Sequence, residues 1–524
     1  MPVKYLKQLW NEKPFLVIIL LAAFVRLIAA ILSKGYGMHD DHFLVIEPSQ
    51  AWVDGTDYDN WLPKNQVNPV PQGHSFFYVG IHYLLFLFLK FAGISNPQVK
   101  MLIVRLIHAA FSMIIVTAGY RIAGKISGGK AARQVGILLA LLWFMPFMSV
   151  HNLVEIVCIP FLMLGIWMIL KSGDTKNDIL KYAAAGLVMG IAFSVRFQSL
   201  LFIGGTALAL LFTRKWYHAI AFGTGALIMI FIIQGITDFF IWGYPFAELK
   251  EYVRYNIEAR NEYLTDSWYK YLLLICGIII PPLGLFHLFG FLRTKRKYLL
   301  LFLPAIIFLV FHSMFPNKQE RFIFPIIPFF VILGVAGWQD FTGKSKFWLR
   351  NTGLMKGCLL FFWIINIILL AFVTPTYSKK SRVESMTYLS HYPDINNLMI
   401  EDTNRGSTVP LPLFYLGHWA NIYQLSQEVS KKTASHYHSL ESLDYFRSSN
   451  PAEYPEFILF FGDKNLDGRL KNVMTIFPSL QYETRIDPGF TDRFMTWINP
   501  ANKNESMYIY RNVSVNEASG NKHQ

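Results

Sequence analysis

The feature that most constrains this chain is a succession of apolar runs, each roughly 17 to 22 residues long, because a helix of that length crosses the ~30 Å hydrocarbon core of a bilayer. The runs recur from Phe15 to Phe372 and then stop. Hydrophobic residues make up 53% of the chain, more than soluble domains carry, so the chain reads as an α-helical polytopic membrane protein. The net charge of +14 comes from short Lys/Arg clusters between the apolar runs. Such clusters set topology, and no basic amphipathic face exists to bind nucleic acid. Cys158, Cys276 and Cys358 each stand alone in apolar sequence, which excludes a disulfide framework and a thiolate metal site. The first run, Phe15 to Leu32, has no small-x-small cleavage site before Lys34 and is expected to be a retained helix.

Spans are expected near 14–33, 101–120, 134–150, 153–170, 180–196, 198–213, 217–236, 268–291, 298–313, 322–338 and 354–373. The segment 75–92 is also apolar. Basic residues on both sides of it (Lys7 and Lys13 before, Arg121, Lys125, Lys130 and Arg133 after) require an even number of crossings between two cytoplasmic ends, so one of the three intervening candidates must lie at the interface. Its aromatic and histidine content assigns that place to 75–92. The expectation is then about eleven transmembrane helices, with later basic loops on the cytoplasmic side and residues 34–72, 237–266 and 314–321 outside. Beyond Ser378 the composition turns mixed, and β-like runs such as Leu398–Ile400, Phe457–Phe461 and Tyr508–Tyr510 suggest a small extracytoplasmic α/β domain. The domain expectation is a membrane domain over 1–376 and a soluble domain over 377–524.

The first outer loop carries His39-Asp40-Asp41-His42, with Glu47 close behind. Adjacent carboxylates raise one another's pKa, and one of them can act as a general base toward a hydroxyl. A solvated acidic loop fits the same residues, as does a divalent-ion site built from His39, Asp41, His42 and Glu47. The second outer segment places Asp238 at a membrane boundary, followed by Arg254, Tyr255 and Asn256. Glu248, Glu251 and Glu258 there read as partners of basic residues along a surface helix. The third outer link runs HSMFPNKQERFIFPIIP from His312 to Pro328. Its Lys318 and Arg321 are cations on the side that positive-inside statistics disfavour. A membrane-held phosphate ester would explain them, since Arg binds phosphate bidentately and Lys as a point charge. General attraction to lipid headgroups is the plainer explanation. Arg196, near an outer helix end, and Arg105, inside a span, invite the same argument, although snorkelling also accounts for Arg105.

These elements together resemble the GT-C superfamily of lipid-phosphosugar glycosyltransferases, and more closely glycosyltransferase family 22, the dolichyl-phosphate-mannose-type α-mannosyltransferases. That family's Asp-Glu-x-Phe-(Gln/Asn)-x-x-Glu-Pro loop is similar to Asp40, Asp41, Phe43, Glu47 and Pro48. Its second element resembles Asp238, Phe240, Gly243 and Tyr255-Asn256, and its third resembles Asn317-Lys318-Gln319-Glu320-Arg321-Phe322 with Pro325 and Pro328. The chain departs from the pattern at Asp41, Leu44, Asn317 and Gln319, and the sequence after Ser378 aligns with no part of it.

The resemblance implies transfer of a hexose, mannose by family habit, from a polyprenyl phosphate to an acceptor hydroxyl on the periplasmic or lumenal face, with inversion. It implies Asp40 as general base with Asp41 tuning it, and Lys318, Arg321 and Arg196 on the donor phosphate. His74, Glu47, Asp238, Tyr255, Asn256 and Glu320 are expected to bind substrate. No cofactor is implied; a divalent metal is possible but not required. The implied partners are the polyprenyl-phosphate sugar, a lipid-linked or glycan acceptor and the membrane. A transporter or flippase of lipid-linked sugars is the alternative, but it would call for ionisable groups lining a path at the bilayer midplane, where these helices carry few carboxylates.

Overall fold

A computed structural model describes residues 2–173, 175–261, 265–392, 395–405, 409–427, 436–499 and 504–515. The chain divides into two compact units. The first comprises Met1–Ser33, Val70–Tyr78 and Ile103–Pro375, and the second comprises Lys34–Pro69, Val79–Leu102 and Thr376–Gln524. The C-terminal segment therefore shares its unit with the loop that holds His39–His42.

Among the described residues of the chain, six helices are long and apolar enough to cross a membrane: Pro14–Leu32, Pro97–Ser127, Val154–Lys171, Trp216–Trp242, Glu320–Thr342 and Thr352–Val373. Shorter apolar helices cover Phe76–Phe91, Ile179–Val195, Ser199–Phe212 and Leu299–Met314. Over an 18-residue apolar stretch, 89% of Glu320–Thr342 is buried, against 11% of Thr352–Val373. The former is the first unit's central helix. The latter presents nearly all of its apolar surface outward, as a lipid-facing helix does.

Two segments expected as single spans are interrupted. Residues 134–150 form Gly129–Leu141 and Met145–Val150. Pro146 cannot donate a helical N–H, and the carbonyls released at the break are taken up by side chains. Arg26 donates to Leu139 O and Ala140 O, both at 3.2 Å, and Asn366 donates to Leu141 O at 2.8 Å while accepting from Trp143 N at 3.0 Å. In a bilayer such partners are obligatory, because no water replaces them. The segment 268–291 consists of Lys270–Ile278 and Leu283–Arg293, set at 119° to one another. Pro281 and Pro282 lie in the break and supply no N–H to continue the first helix. Arg105 does not snorkel: it is 2% exposed and its Nε donates to Ala30 O at 2.7 Å, capping the end of Pro14–Leu32.

Helices Ile179–Val195 and Trp216–Ile230 pack through glycine. A Cβ on Gly186 would stand 2.0 Å from Phe222 O, and one on Gly225 would stand 2.1 Å from Ala183 O. Only small residues allow backbones to approach this closely in lipid, where the hydrophobic effect does not drive helices together.

The second unit holds a six-stranded sheet of β1 (Asn397–Glu401), β2 (Asn421–Leu425), β3 (Tyr437–Leu440), β4 (Phe457–Phe461), β5 (Leu480–Ile486) and β6 (Met507–Asn512), in the order β3-β2-β1-β4-β6-β5. Strands β1 to β4 run parallel, and β6 pairs antiparallel with both β4 and β5. The central strands β1 and β4 are buried at every position, which is why they read as continuous apolar runs. One face packs Met399, Tyr423, Ile458 and Phe460 against Phe446, Val473 and Phe477.

Candidate active site

In the second unit, His39–Asp41 forms a single helical turn followed by a wide turn at His42–Ile46 and the helix Glu47–Val53. Successive residues of such a turn point about 100° apart, so the two aspartates are separated: Asp40 is half-buried while Asp41 is 6% exposed. The turn is held from the C-terminal segment. Lys379 donates to Tyr36 O at 3.2 Å and to Gly37 O at 3.1 Å, and its ammonium lies 4.7 Å from the Tyr36 ring centre. Burial pulls the Lys379 pKa down to about 8, with Arg382 lowering it further and Asp492 and Asp41 opposing. Nothing in the sequence pattern marked Lys379.

His42 stacks between the rings of Tyr36 and Tyr415, with centroids at 4.7 and 5.5 Å. Burial, aided by Lys379, lowers its pKa to about 3, so the imidazole is neutral. Glu47 accepts from Phe414 N at 3.2 Å and lies 3.4 Å from His42 Nε2. Burial raises its carboxyl to about 8, against the lowering effect of the Phe414 and Leu413 amides. Glu47 is thus a neutral linker inside this unit, 5% exposed. Among the described residues, no three His, Cys, Asp or Glu side chains gather as metal ligands.

The first unit brings two of the three expected phosphate ligands onto one carboxylate. Arg196 follows the last turn of Ile179–Val195 in extended conformation, and its Nη1 forms an ion pair with Glu155 Oε1. Arg321 Nε stands 3.6 Å from the same oxygen and donates to Gln319 Oε1 at 2.9 Å. Both guanidiniums lie by the Phe322 ring, at 5.3 and 5.8 Å. Glu155 occupies the first turn of Val154–Lys171, where the helix dipole favours an anion. Arg196 Nε and Nη2, Glu155 Oε2 and His312 Nε2 are all buried and have no hydrogen-bond partner among the described residues. Lys318 is also buried, but its Nζ caps Leu299–Met314 by donating to Ser313 O at 2.9 Å and Phe315 O at 2.5 Å. Burial lowers its pKa. It adds positive charge here while its hydrogen bonds go to carbonyls.

The remaining candidates are scattered. Asp238 is fully buried and joins Gln234, Glu248 and Ser75 in a network that also takes the Phe76 N–H. Glu248 is therefore no surface residue; it is 0% exposed. Glu251 and Glu258 do pair with Arg254 along the exposed helix face, both at 2.5 Å. Asn256 bonds back to Tyr252 O at 2.8 Å, Tyr255 is exposed, and Glu320 faces Lys270 at 3.7 Å. His74 is half-buried, 5.6 Å from the Phe76 ring.

The fold combines several long apolar helices with a small α/β domain. It is similar to ArnT from Cupriavidus metallidurans bound to undecaprenyl phosphate, with TM-score 0.63, 12% identity, and coverage of 96% of this chain and 98% of that one. The chain belongs to the Alg9-like mannosyltransferase family, whose profile matches residues 17–410. Among its relatives are GPI mannosyltransferase 3 of Debaryomyces hansenii, 21% identical over 74% of this chain and 70% of that protein, and the human alpha-1,2-mannosyltransferase ALG9, 23% identical over 59% and 52%. It is accordingly an integral, multi-pass membrane enzyme that transfers mannose, and the flippase alternative falls away.

Proposed function

We propose that the chain moves mannose from a polyprenyl-phosphate donor to a hydroxyl of a lipid-linked or glycan acceptor on the extracytoplasmic face, with inversion, and that Asp40 is the general base. The acceptor oxygen attacks the anomeric carbon as its proton passes to Asp40. The bond from that carbon to the phosphate oxygen breaks, and its electron pair leaves with the polyprenyl phosphate. Among the two aspartates Asp40 is the more exposed, which supports it over Asp41 as the group that meets a hydroxyl.

The observation that carries the reading is an excess of buried positive charge in the first unit. Arg196 and Arg321 are both buried against one carboxylate, Glu155, and Lys318, also buried, acts with Arg196 on the neighbouring His312. Isolated buried charge costs several kcal/mol, so such an arrangement calls for an anion. A phosphodiester supplies one, and its leaving group gains charge in the transition state, which rewards cations already in place. The ArnT structure holds undecaprenyl phosphate, a ligand of this donor class, and the GPI mannosyltransferase 3 relatives favour a lipid-linked acceptor. A divalent ion is not required by this reading.

The test is to incubate the purified protein with polyprenyl-phosphate mannose and candidate acceptors and to measure released polyprenyl phosphate together with mannosylated product. Release is expected from the wild type and not from a folded Asp40→Asn variant. Turnover retained in that variant overturns Asp40 as base, and mannosylation that releases no polyprenyl phosphate overturns the donor class.

A further inference from the structure

We infer that Glu155 is a built-in competitor for the leaving phosphate, holding the guanidiniums of Arg196 and Arg321 in place and limiting how tightly the spent lipid phosphate stays bound; this rests on the donor-phosphate reading above. The argument starts from what the carboxylate leaves undone. Glu155 engages Arg196 through Nη1 and approaches Arg321 Nε at 3.6 Å with the same oxygen, Oε1. Arg196 Nε and Nη2 remain buried with no acceptor among the described residues. A buried donor without a partner is destabilising, and here two lie on one guanidinium. The fork matches an oxyanion with more than one oxygen, and Glu155 meets only part of it.

A phosphate arriving at those donors comes beside a carboxylate that is 1% exposed and already engaged with both arginines. The donor is a phosphodiester with one negative charge. The product is a phosphomonoester with close to two at neutral pH. The attraction of the cations and the opposition of Glu155 both fall more heavily on the dianion, so Glu155 cancels part of the preference that the cations alone would give it. In a poorly solvated site one neighbouring like charge is easily worth a factor of ten. Cations that stabilise the departing phosphate would by themselves also trap it. Glu155 offsets that trap while keeping the arginines paired when no phosphate is present.

The experiment compares two inhibitors at pH 8: a polyprenyl monophosphate and its methyl ester, which differ by one charge. In the wild type the two inhibition constants are expected to lie within about threefold of each other. In Glu155→Gln the monophosphate should bind about tenfold more tightly than its ester, and kcat should fall as product release slows. A wild type that already holds the monophosphate tenfold more tightly than the ester overturns the inference, and this arm needs no variant to fold. So does a folded Glu155→Gln whose ratio stays unchanged or reverses, which is the result expected if Glu155 merely positions the arginines. Arg196→Met and Arg321→Met should weaken both inhibitors. If neither does, the donor-phosphate reading itself falls; if they do and the ratio in Glu155→Gln is unmoved, only the role of Glu155 falls.

Discussion

The backbone N–H of Glu248 donates to the Asp238 carboxylate at 3.1 Å, and Gln234 Nε2 donates to both side chains, at 2.7 Å to Asp238 and 2.8 Å to Glu248. Burial, then the neighbouring Asp238, pushes the Glu248 carboxyl well above its ordinary range, so it holds its proton more firmly than an exposed glutamate does. Its oxygens also accept from Phe76 N at 3.0 Å and Trp242 Nε1 at 3.1 Å. The pair thus ties the start of Phe76–Phe91 to the end of the Trp216–Trp242 span. Since a neutral acid and an amide offer similar acceptors, Glu248→Gln should change stability little. Glu248→Ala removes the acceptor of three donors, two of them buried, and should cost about 2–4 kcal/mol, read as a lowered thermal unfolding midpoint in detergent.

Lys379 acts on the acidic turn through the chain that precedes it. Its two carbonyl contacts, at Tyr36 and Gly37, fix the approach to His39–Asp41. Lys379→Met retains the aliphatic stem but loses both hydrogen bonds. Transfer should fall about 10–100-fold, the cost of displacing a catalytic group by about an ångström, with an unfolding midpoint near that of the wild type. An unchanged rate would show that the turn holds itself.

The reasons these two residues escaped the sequence differ. Glu248 shares a helix with Lys250, Glu251, Arg254 and Glu258, and i,i+3 and i,i+4 charge pairing suffices to explain all of them as surface; which of them turns inward depends on tertiary packing. Lys379 lies at the start of a segment with no recognisable motif, and its role arises only when residues more than 340 apart meet. That the chain holds several long apolar helices was legible because lipid demands them, and the break within 134–150 was not, because Arg26 and Asn366 supply the missing hydrogen bonds from distant positions. In the sheet, β1, β4 and β6 were visible as apolar runs. Strands β2, β3 and β5 were missed: β3 and β5 are edges, where one-sided burial permits polar residues such as those of QYETRI.

The Glu47 carboxyl gives the second unit a pH signature. Its folded pKa of about 8 lies above the ordinary glutamate value of 4.5, so between those values the unfolded chain has released a proton that the folded chain retains. Stability therefore falls as pH rises through that window, by about 1.4 kcal/mol per unit from this group. Glu47→Gln removes the titration while retaining an acceptor for Phe414 N. The variant should match the wild type near pH 5 and gain on it steadily toward pH 8, in paired thermal melts. A gap independent of pH would mean that Glu47 is ionised in the fold.

Arg196 and Arg321 both meet Glu155, yet Lys318 spends its ammonium on helix carbonyls, so the three cations should not respond alike to substitution. The guanidinium of Arg196 lies in a plane with two unused donors and against the face of Phe322. A lysine at that position keeps the charge but loses the fork and the stacking. Arg196→Lys should raise the donor KM about tenfold or more and leave the acceptor KM unchanged. Lys318→Met removes one charge and also uncaps Leu299–Met314, so it should lower the unfolding midpoint as well as donor affinity. Steady-state kinetics with each substrate varied in turn, alongside thermal melts, separates the two. Equal effects of Arg196→Lys on both KM values would place that side chain in general packing rather than on the phosphate.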